Sequence, residues 1–390
     1  MRNSPNLLLD TMNLNVHLPR ELHFKLASSK ADLESAFQLL HDGYVKHGQM
    51  KEDASGLWIS KYQALPTSST IIALWNKKVA GTISLIGDSA LLLPIDTSFS
   101  LSKLRQTNAR IAEISVLAFH EDFAEKKEMI IFPLFKYLFN YCWNAAGYDA
   151  LVVAVPPAWQ EFYQSIFCFE KLPVKAGAQT TSVGLSLNLH DALTRWSELY
   201  ENKPDTQNLP KYLHTPDLEY FEYPDRKYFK SADQIMTPEL LDYFFNQRTK
   251  IFAQLNKKEL LVFQNLYGFG DYQDVIPKLE DPAPGGRPRD RRFAVKCEGQ
   301  IFITRDSSVP ITVSDVSANG FRATLESPIA FSETCACTIN IGIGKNAELI
   351  VRPAWTFNDY AVGFEVLGAD AHWKAFLAEL IKEFHQKKQK

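Results

Sequence analysis

Cysteine is scarce in this sequence, and long apolar runs are absent from it. The five cysteines are odd in number and irregularly spaced, which argues against a disulfide framework. No run approaches the roughly 18 consecutive apolar residues that a membrane span needs. Residues 1–20 also lack the apolar core of a secretory signal peptide. We therefore expect a reduced, cytoplasmic protein with no membrane span.

Neither sign of charge dominates the chain. Lysine and arginine total 42 and aspartate and glutamate total 45, so the formal net charge is −3 at pH 7. A chain without excess positive charge is not a general binder of nucleic acid, so we expect no DNA partner. Any attraction for phosphate must be local.

The cysteines also give little support for a metal site. Cys335 and Cys337 are separated by one residue, but no second Cys or His pair completes a set of four ligands. Alternation along a β-strand explains this spacing better. We therefore expect no metal.

The chain has 390 residues, which suggests two to three domains. Its first half alternates strand and helix patterns. These predict a strand from residue 22, a helix within 29–48, a hairpin at 69–87, a strand at 109–119, an apolar helix at 130–147, a buried strand at 149–156, a helix running into a strand at 159–172, and a strand at 181–189. This pattern predicts a mixed α/β domain over residues 1–202.

The second half changes character twice. Residues 203–280 read as a helical connector, with Thr237 and Pro238 as a strong helix start. A proline- and glycine-rich linker follows, and six short alternating strands begin at Phe293, which predicts a small antiparallel barrel over 281–390 with a terminal amphipathic helix. The expected fold class is a multidomain α+β protein.

The densest positive charge lies in the linker just before the barrel. Within six positions stand Arg287, Arg289, Arg291 and Arg292. Arginine grips phosphate with a planar fork and stacks on aromatic bases, so Arg287 and Arg291 together can hold a small anionic ligand. The alternative interpretation, a solvated basic hinge, stays open.

The segment SDVSANG at 314–320 follows this cluster by about 25 residues. An RxxxR pair followed by DxSxxG in a β-barrel resembles the PilZ domain, as does the later Trp355. The resemblance implies binding of cyclic di-GMP. Arg287 and Arg291 would hold phosphate and stack on guanine, with Arg292 as the alternative second arginine. Asp315 and Ser317 would contact base edge and phosphate, and Gly320 would shape the loop.

The segment EFYQSIFCFEKL at 161–172 resembles the final motif of the GNAT acyltransferase fold, FYxxxGF. Cys168 stands where that motif has glycine, and Tyr163 is its tyrosine. The resemblance implies that Tyr163 protonates the thiolate that leaves the acyl donor, which is general acid catalysis.

A narrower resemblance rests on LRQTNARIAEISVLAF at 104–119, which is similar to the N-acyl amino acid synthases and the related acyl-homoserine-lactone synthases. It implies an acyl group carried by phosphopantetheine on acyl carrier protein, and an amine acceptor. Glu113 would orient or deprotonate the amine, with Asp88 and Asp96 near it. The residues implied in donor binding are Val116, Leu117, Phe119, Lys126 and Lys127.

The sequence thus predicts a cyclic di-GMP receptor whose PilZ domain regulates an attached N-acyltransferase. The alternative is an effector without enzymatic activity, in which a degenerate acyltransferase fold docks a protein partner. Val116, Trp159 and the lack of a glycine-rich phosphate loop favour this alternative. The sequence does not indicate the oligomeric state.

Overall fold

The computed structural model describes residues 13–14, 17–48, 50–89, 91–107, 109–215, 219–223, 236–267, 272, 274–277, 292–304, 307–325, 331, 334–342, 345–357 and 361–387. The chain divides into two compact units. Unit 1 comprises Met1–Pro224 and Ile235–Ile251, and unit 2 comprises Asp225–Gln234 and Phe252–Lys390. Residues expected to form a connector are therefore shared between the two units. The division at 202 and 280 stays a prediction.

Unit 1 is a mixed α/β structure, as predicted. Its strands are β1 Leu22–Leu26, β2 Ser68–Trp75, β3 Lys78–Gly87, β4 Ile111–Phe119, β5 Ala150–Val155, β6 Glu170–Lys171, β7 Val183–Asn188 and β8 Phe221–Glu222. Its helices are α1 Lys30–Lys46, α2 Ser102–Gln106, α3 Glu128–Tyr141, α4 Pro157–Phe167, α5 Leu189–Tyr200, α6 Leu209–His214 and α7 Pro238–Asp242.

The strands of unit 1 form one sheet of eight, in the order β6-β7-β5-β4-β3-β2-β1-β8. Most neighbours are antiparallel, but β4 and β5 run parallel. The chain between them crosses over through α3, as a parallel pair requires. The central pair β4 and β5 therefore has two parallel carboxyl ends, the position where α/β folds commonly place a site.

Local sequence signals account for the element boundaries. Ser29 caps α1 and forms a capping box with Asp32. Asn76 and Lys77 have positive φ values of 49° and 67°, as a two-residue turn between antiparallel strands requires. After α3, one π-helical turn ends at Gly147, whose φ of 64° is left-handed, as expected for its terminal position.

The core of unit 1 lies between the sheet and the helices on one of its faces. Helix α3 is almost wholly buried there, and α4, α5 and α6 contribute to the same apolar cluster. Helix α5 was not predicted, although Leu189, Ala192, Trp196 and Tyr200 have helical spacing and are buried. Helix α1 packs against β2, β3 and β4.

Unit 2 contains α8 Lys257–Tyr267 and a closed antiparallel barrel. The barrel strands are β9 Phe293–Thr304, β10 Ser307–Val316, β11 Gly320–Leu325, β12 Cys335–Gly342, β13 Lys345–Phe357 and β14 Ala361–Ala369, in the order β10-β11-β14-β13-β12-β9. The prediction of a six-stranded barrel followed by a helix is confirmed.

The barrel interior follows from strand alternation. Cys335 and Cys337 are buried on either side of the exposed Ala336. Burial raises the pKa of the Cys337 thiol to about 12, so it remains a neutral apolar group. Helix α9, Ala371–Lys387, covers the barrel with Trp373, Phe376, Leu377 and Leu380, whereas Ile381 is exposed.

Two general findings concern the described part of the chain. None of its helices combines the length and the apolar character needed to cross a membrane. Nor does that part of the chain contain a group of three or more His, Cys, Asp or Glu side chains placed to hold a metal ion.

Candidate active site

The strands β4 and β5 separate part of the way along their length. Their pairing extends from Ile111 and Ala150 to Ile114 and Val153. At this point Ser115 is an extra residue in β4, because Ile114 pairs with Leu85 and Val116 with Ser84. Such a bulge bends a strand and interrupts its ladder. The second half of β4, beyond Ile114, is therefore not paired with β5.

Glu113 lies just before this bulge and is buried. Its position in β4 is opposite Ile86 of β3 and Val152 of β5, so its side chain shares a face with these apolar neighbours. The carboxyl Oε2 accepts a 2.8 Å hydrogen bond from the backbone N–H of Ile95. No described residue donates to Oε1. One oxygen is held in place, and the other can receive a proton.

The environment of Glu113 favours its neutral form. Burial raises the pKa of Glu113 to about 8; the Ile95 hydrogen bond partly opposes this, and the nearby Asp96 carboxylate adds to it. A carboxyl with a pKa near working pH suits a general base, because both protonation states are accessible.

An ion network lies next to Glu113 in the segment between β3 and β4. The Arg105 guanidinium donates to both carboxylate oxygens of Asp88, at 2.8 and 3.0 Å, and to both carboxylate oxygens of Asp96, at 2.7 and 2.6 Å. The Leu93 N–H also donates to Asp96, at 2.9 Å. The network fixes the short 3-10 turn Pro94–Thr97 whose Ile95 N–H holds Glu113.

The two aspartates in this network are shifted in opposite directions. Burial raises the pKa of Asp88, because the hydrogen bonds from Arg105 offset it only in part. Burial also disfavours the charge on Asp96, but hydrogen bonds from Arg105 and the Leu93 amide outweigh it and lower the pKa. Asp96 is therefore a fixed negative charge beside Glu113.

Glu113, Asp88 and Asp96, which the sequence analysis placed at the acceptor, do lie together. Arg105, Lys175 and the Ile95 amide were missed. Arg105 stands within the quoted motif at 104–119, eight residues before Glu113, so its charge next to an apolar strand was an available signal. Lys175 offered no signal, because it reaches Asp96 from 79 residues away.

Tyr163 lies in the second half of α4 and belongs to the buried apolar cluster that this helix shares with the sheet. Its ring contacts Phe135, Phe162 and Phe169, with centroid distances of 5.8, 5.5 and 5.3 Å. Burial in this aromatic cluster raises the pKa of Tyr163. The phenol therefore stays protonated, which a general acid needs, and its role stays a proposal.

Cys168 ends α4 in a left-handed conformation, with φ 60° and ψ 30°. Glycine adopts this conformation without strain, whereas a residue with a Cβ is disfavoured. The glycine of the FYxxxGF motif therefore occupies a position where its conformational freedom is needed. This chain keeps the backbone shape with a cysteine.

Replacing Cys168 by glycine is expected to stabilise unit 1 by about 0.5–1 kcal/mol, because relief of the left-handed strain exceeds the entropy that glycine gains in the unfolded chain. Urea denaturation at pH 7 measures the difference. Cys168→Ala is the matched control, since it removes the thiol but keeps the Cβ. An equal gain in both variants would place the effect in the thiol rather than in the backbone.

The residues predicted to bind the acyl donor lie along the second half of β4 and after it. Val116 is buried, and Leu117 and Phe119 pack partly against the core on the other face. All three pair with β3. Lys126 lies over the Trp75 ring, with Nζ 4.6 Å from the centroid, and Lys127 is exposed at the start of α3.

A second group of candidate residues lies in the barrel of unit 2. Asp315 is buried near the end of β10, and both its oxygens face arginines. Arg292 donates to Oδ1, and Arg322 Nε lies 2.9 Å from Oδ2. Arg322 also lies over the half-exposed ring of Trp355, 5.6 Å from its centroid. The expected ligands Arg287 and Arg291 lie outside the described residues.

The loop between β10 and β11 is tightly closed. Ser317 donates from its N–H and its hydroxyl to the Gly320 carbonyl, at 2.7 and 3.0 Å. A Cβ on Gly320 would lie 2.4 Å from the Phe364 carbonyl oxygen, so only glycine fits there. The expected role of Gly320 in shaping a ligand loop stays a prediction. In this state Asp315 and Ser317 bond to protein groups.

The raised pKa of Glu113 makes stability depend on pH. The folded state holds the Glu113 proton up to about pH 8, whereas the ordinary pKa of a glutamate side chain is 4.5. Its contribution to the free energy of unfolding is therefore fully present below pH 4.5 and is lost as pH rises through about 8. Urea denaturation across this range should show a steeper decline for wild type than for Glu113→Gln. Parallel curves would contradict the shift.

Residues 35–181 match the family model described as N-acyl amino acid synthase FeeM. The solved structure of FeeM from uncultured soil microbes is 18% identical over 44% of this chain and 94% of its own, with a TM-score of 0.36. BjaI, a CoA-dependent acyl-homoserine lactone synthase solved with SAM and isopentyl-CoA, is 15% identical over 53% of this chain and 94% of its own, with a TM-score of 0.36.

A third solved structure, the Bacillus subtilis inhibitor of motility, is 17% identical over 29% of this chain and 58% of its own, with a TM-score of 0.23. No curated protein matches this chain significantly. The matched residues 35–181 include Glu113, Arg105 and Tyr163. Unit 1 therefore contains an acyltransferase-like domain similar to the N-acyl amino acid synthases, and unit 2 a closed six-stranded barrel.

Proposed function

We propose that the acyltransferase-like domain transfers a fatty acyl group from a thioester to an amine. One observation carries this proposal. Glu113 is a buried carboxyl with a pKa of about 8, and it stands where β4 and β5 begin to diverge. The match of residues 35–181 to the N-acyl amino acid synthase model supports the reaction class.

The chemistry requires an amine that has lost its proton. A carboxylate with an ordinary pKa is a very weak base towards an ammonium group. The pKa of Glu113 is raised to about 8, which makes proton transfer from the ammonium to its free Oε1 less unfavourable. The neutral nitrogen then attacks the thioester carbonyl carbon. The nitrogen of the tetrahedral intermediate loses its second proton to solvent, and the intermediate collapses to the amide with cleavage of the C–S bond. The sulfur leaves as a thiolate and takes a proton.

Tyr163 is our candidate for that second proton transfer. Its apolar surroundings keep the phenol protonated, and α4 follows β5, the strand whose pairing with β4 ends beside Glu113. If Tyr163 is the acid, Tyr163→Phe slows transfer most for donors with a poor leaving thiolate. The packing of the ring is kept in this variant.

The donor we propose is an acyl group on the phosphopantetheine arm of acyl carrier protein. Beyond the bulge, Val116–Phe119 pair with β3 and extend past the pairing with β5, so backbone groups on that side can receive the amides of the arm. The segment 120–131 contains no glycine for close approach to a pyrophosphate, which favours a donor with one phosphate. Lys126 and Lys127 suit an acidic carrier.

The test is acyl transfer by the purified full chain, supplied with a panel of amino acids and either acyl carrier protein or coenzyme A loaded with the same fatty acyl group. We expect an N-acyl product, formed with a higher kcat/KM from the carrier protein. Preference for coenzyme A would overturn the choice of donor. Absence of product from both donors would favour the alternative, a docking module without enzymatic activity.

We further propose that the barrel binds cyclic di-GMP as a PilZ domain and that this regulates transfer. The supporting observation is the closed Ser317–Gly320 loop next to Asp315, whose carboxylate holds Arg292 at the end of the basic cluster. In this arrangement Asp315 also positions an arginine for phosphate. Measuring the transfer rate with and without saturating cyclic di-GMP tests the regulation. An unchanged rate would remove it.

A further inference from the structure

Lys175 is held against the turn that positions Glu113. Its segment follows β6 and pairs with the residues after that turn. Lys175 N–H donates to the Ser98 carbonyl at 2.9 Å, and Ser100 N–H donates to the Pro173 carbonyl at 2.9 Å. Val174 and Phe99 form an isolated bridge between these bonds. The backbone on both sides of Lys175 is therefore fixed relative to the turn.

The ammonium of Lys175 is only partly used by the protein. It donates to the backbone carbonyl of Asp96, and its Nζ lies 3.8 Å from Asp96 Oδ1, beyond hydrogen-bond distance. An ammonium has three donors, so this arrangement leaves donors for another acceptor. The side chain is 42% exposed, whereas that of Asp96 is 5% exposed. Lys175 thus lies at the rim of the network, and the carboxylates lie deeper.

Lys175 is also close to Glu113 along a short, defined path. Glu113 Oε2 binds the Ile95 N–H, and Lys175 Nζ binds the carbonyl of the next residue, Asp96. The Ile95 nitrogen and the Asp96 carbonyl oxygen are separated by two residues of backbone, a span of at most about 7 Å. An α-amino acid carries its amine and carboxylate on one carbon. The Glu113 oxygen and the Lys175 nitrogen each lie one hydrogen bond, about 3 Å, beyond these backbone atoms, so the two side-chain atoms are at most about 13 Å apart. An α-amino acid with a hydrogen bond at each end lies within this limit.

The ion pairs of the network indicate that Lys175, rather than Arg105, is the cation available to bind an anionic ligand group. Arg105 is bound on both sides by Asp88 and Asp96, which satisfy its charge. Of these two described cations, Lys175 has the more exposed side chain, at 42% against 32% for Arg105, and it makes fewer bonds to carboxylates. A ligand with an amine for Glu113 and an anion for Lys175 therefore complements the site.

We propose that Lys175 binds the carboxylate of the acceptor and so selects amino acids over simple amines. The inference rests on the proposed acyltransferase function and adds the residue that sets acceptor specificity. The acceptor amine points inward to Glu113, and its carboxylate points outward to the rim. A charge-assisted hydrogen bond of this kind contributes about 1.5–3 kcal/mol, which is roughly 10–100-fold in affinity.

The experiment compares two acceptors in wild type and in Lys175→Met. One is the most active α-amino acid of the standard set, and the other is the amine made by removing its carboxylate. In the variant, KM for the amino acid should rise about 10–100-fold, with kcat and the kinetics of the amine unchanged. Lys175→Arg should restore much of the preference. Lys171→Met, an exposed lysine of β6, is the control.

Each other outcome is decisive. Equal slowing of both acceptors would mean that Lys175 only holds Asp96 in place, and the inference would be wrong. Unchanged kinetics for both would also overturn it. Should Lys175→Met unfold, Lys175→Gln with the same two acceptors gives the same comparison. Wild type that acylates neither acceptor would instead contradict the proposed function.

Discussion

Replacing Glu113 by glutamine is expected to lower kcat/KM for acyl transfer by about 10²–10⁴-fold, the usual range for loss of a general base. Glutamine keeps the size of the side chain and can accept the Ile95 hydrogen bond, but it cannot take the amine proton. Initial rates with a saturating acyl donor measure the effect. Glu128→Gln, which changes an exposed glutamate in the first turn of α3, should leave the rate unchanged.

The same variant has a pH signature that a structural defect would not reproduce. Wild-type kcat/KM should rise with pH and level off above about 8, as Glu113 ionises. The residual activity of Glu113→Gln should lack this step. A variant with the wild-type rate, or one that is slow but keeps the step, would show that Glu113 is not the base.

The double change of Arg287 and Arg291 to alanine is expected to weaken cyclic di-GMP binding by at least about 100-fold. Each arginine contributes a charge-assisted contact of about 1.5–3 kcal/mol to phosphate, so the pair accounts for about 3–6 kcal/mol. Calorimetric titration of the full chain measures the affinity. Lys345→Ala, an exposed lysine at the start of β13, is the control.

The Arg292→Ala variant tests whether Arg291 or Arg292 is the second arginine that binds the ligand. It is paired with Asp315 in the structure, so Arg292→Ala leaves a buried carboxylate without one partner. If Arg292 is itself a ligand, its removal should weaken binding as strongly as the double change. Tight binding by the Arg287 and Arg291 double variant would contradict the assignment of those two residues. Absence of binding by wild type would contradict the PilZ proposal.

Much of the fold was predictable because its signals are local. The hairpin turn at Asn76 and Lys77 and the end of the long apolar helix at Gly147 follow from short-range backbone preferences. Helix α5 was missed although Trp196 and Tyr200 continue its apolar face. The helix begins directly after β7. The spacing of apolar residues changes there from that of a strand to that of a helix, and no glycine or proline marks the boundary.

The site was predictable only in part. The motif around Glu113 indicated its role through a family resemblance, and the nearby aspartates were named for the same reason. The raised pKa of Glu113 depends on burial by strands and a turn that are distant in the sequence, which no local pattern encodes. Lys175 comes from a loop after β6, and only the folded sheet brings it to Asp96.

We propose above that this chain forms an amide from a thioester and an amine. The most direct measurement is a single turnover, in which enzyme in excess is mixed with acyl-loaded carrier protein and the amino acid panel. Free thiol and N-acyl product are then quantified together by mass spectrometry. We expect equal amounts of thiol and N-acyl product, formed with the same time course. Thiol release with free fatty acid instead of amide, or no release at all, would contradict it.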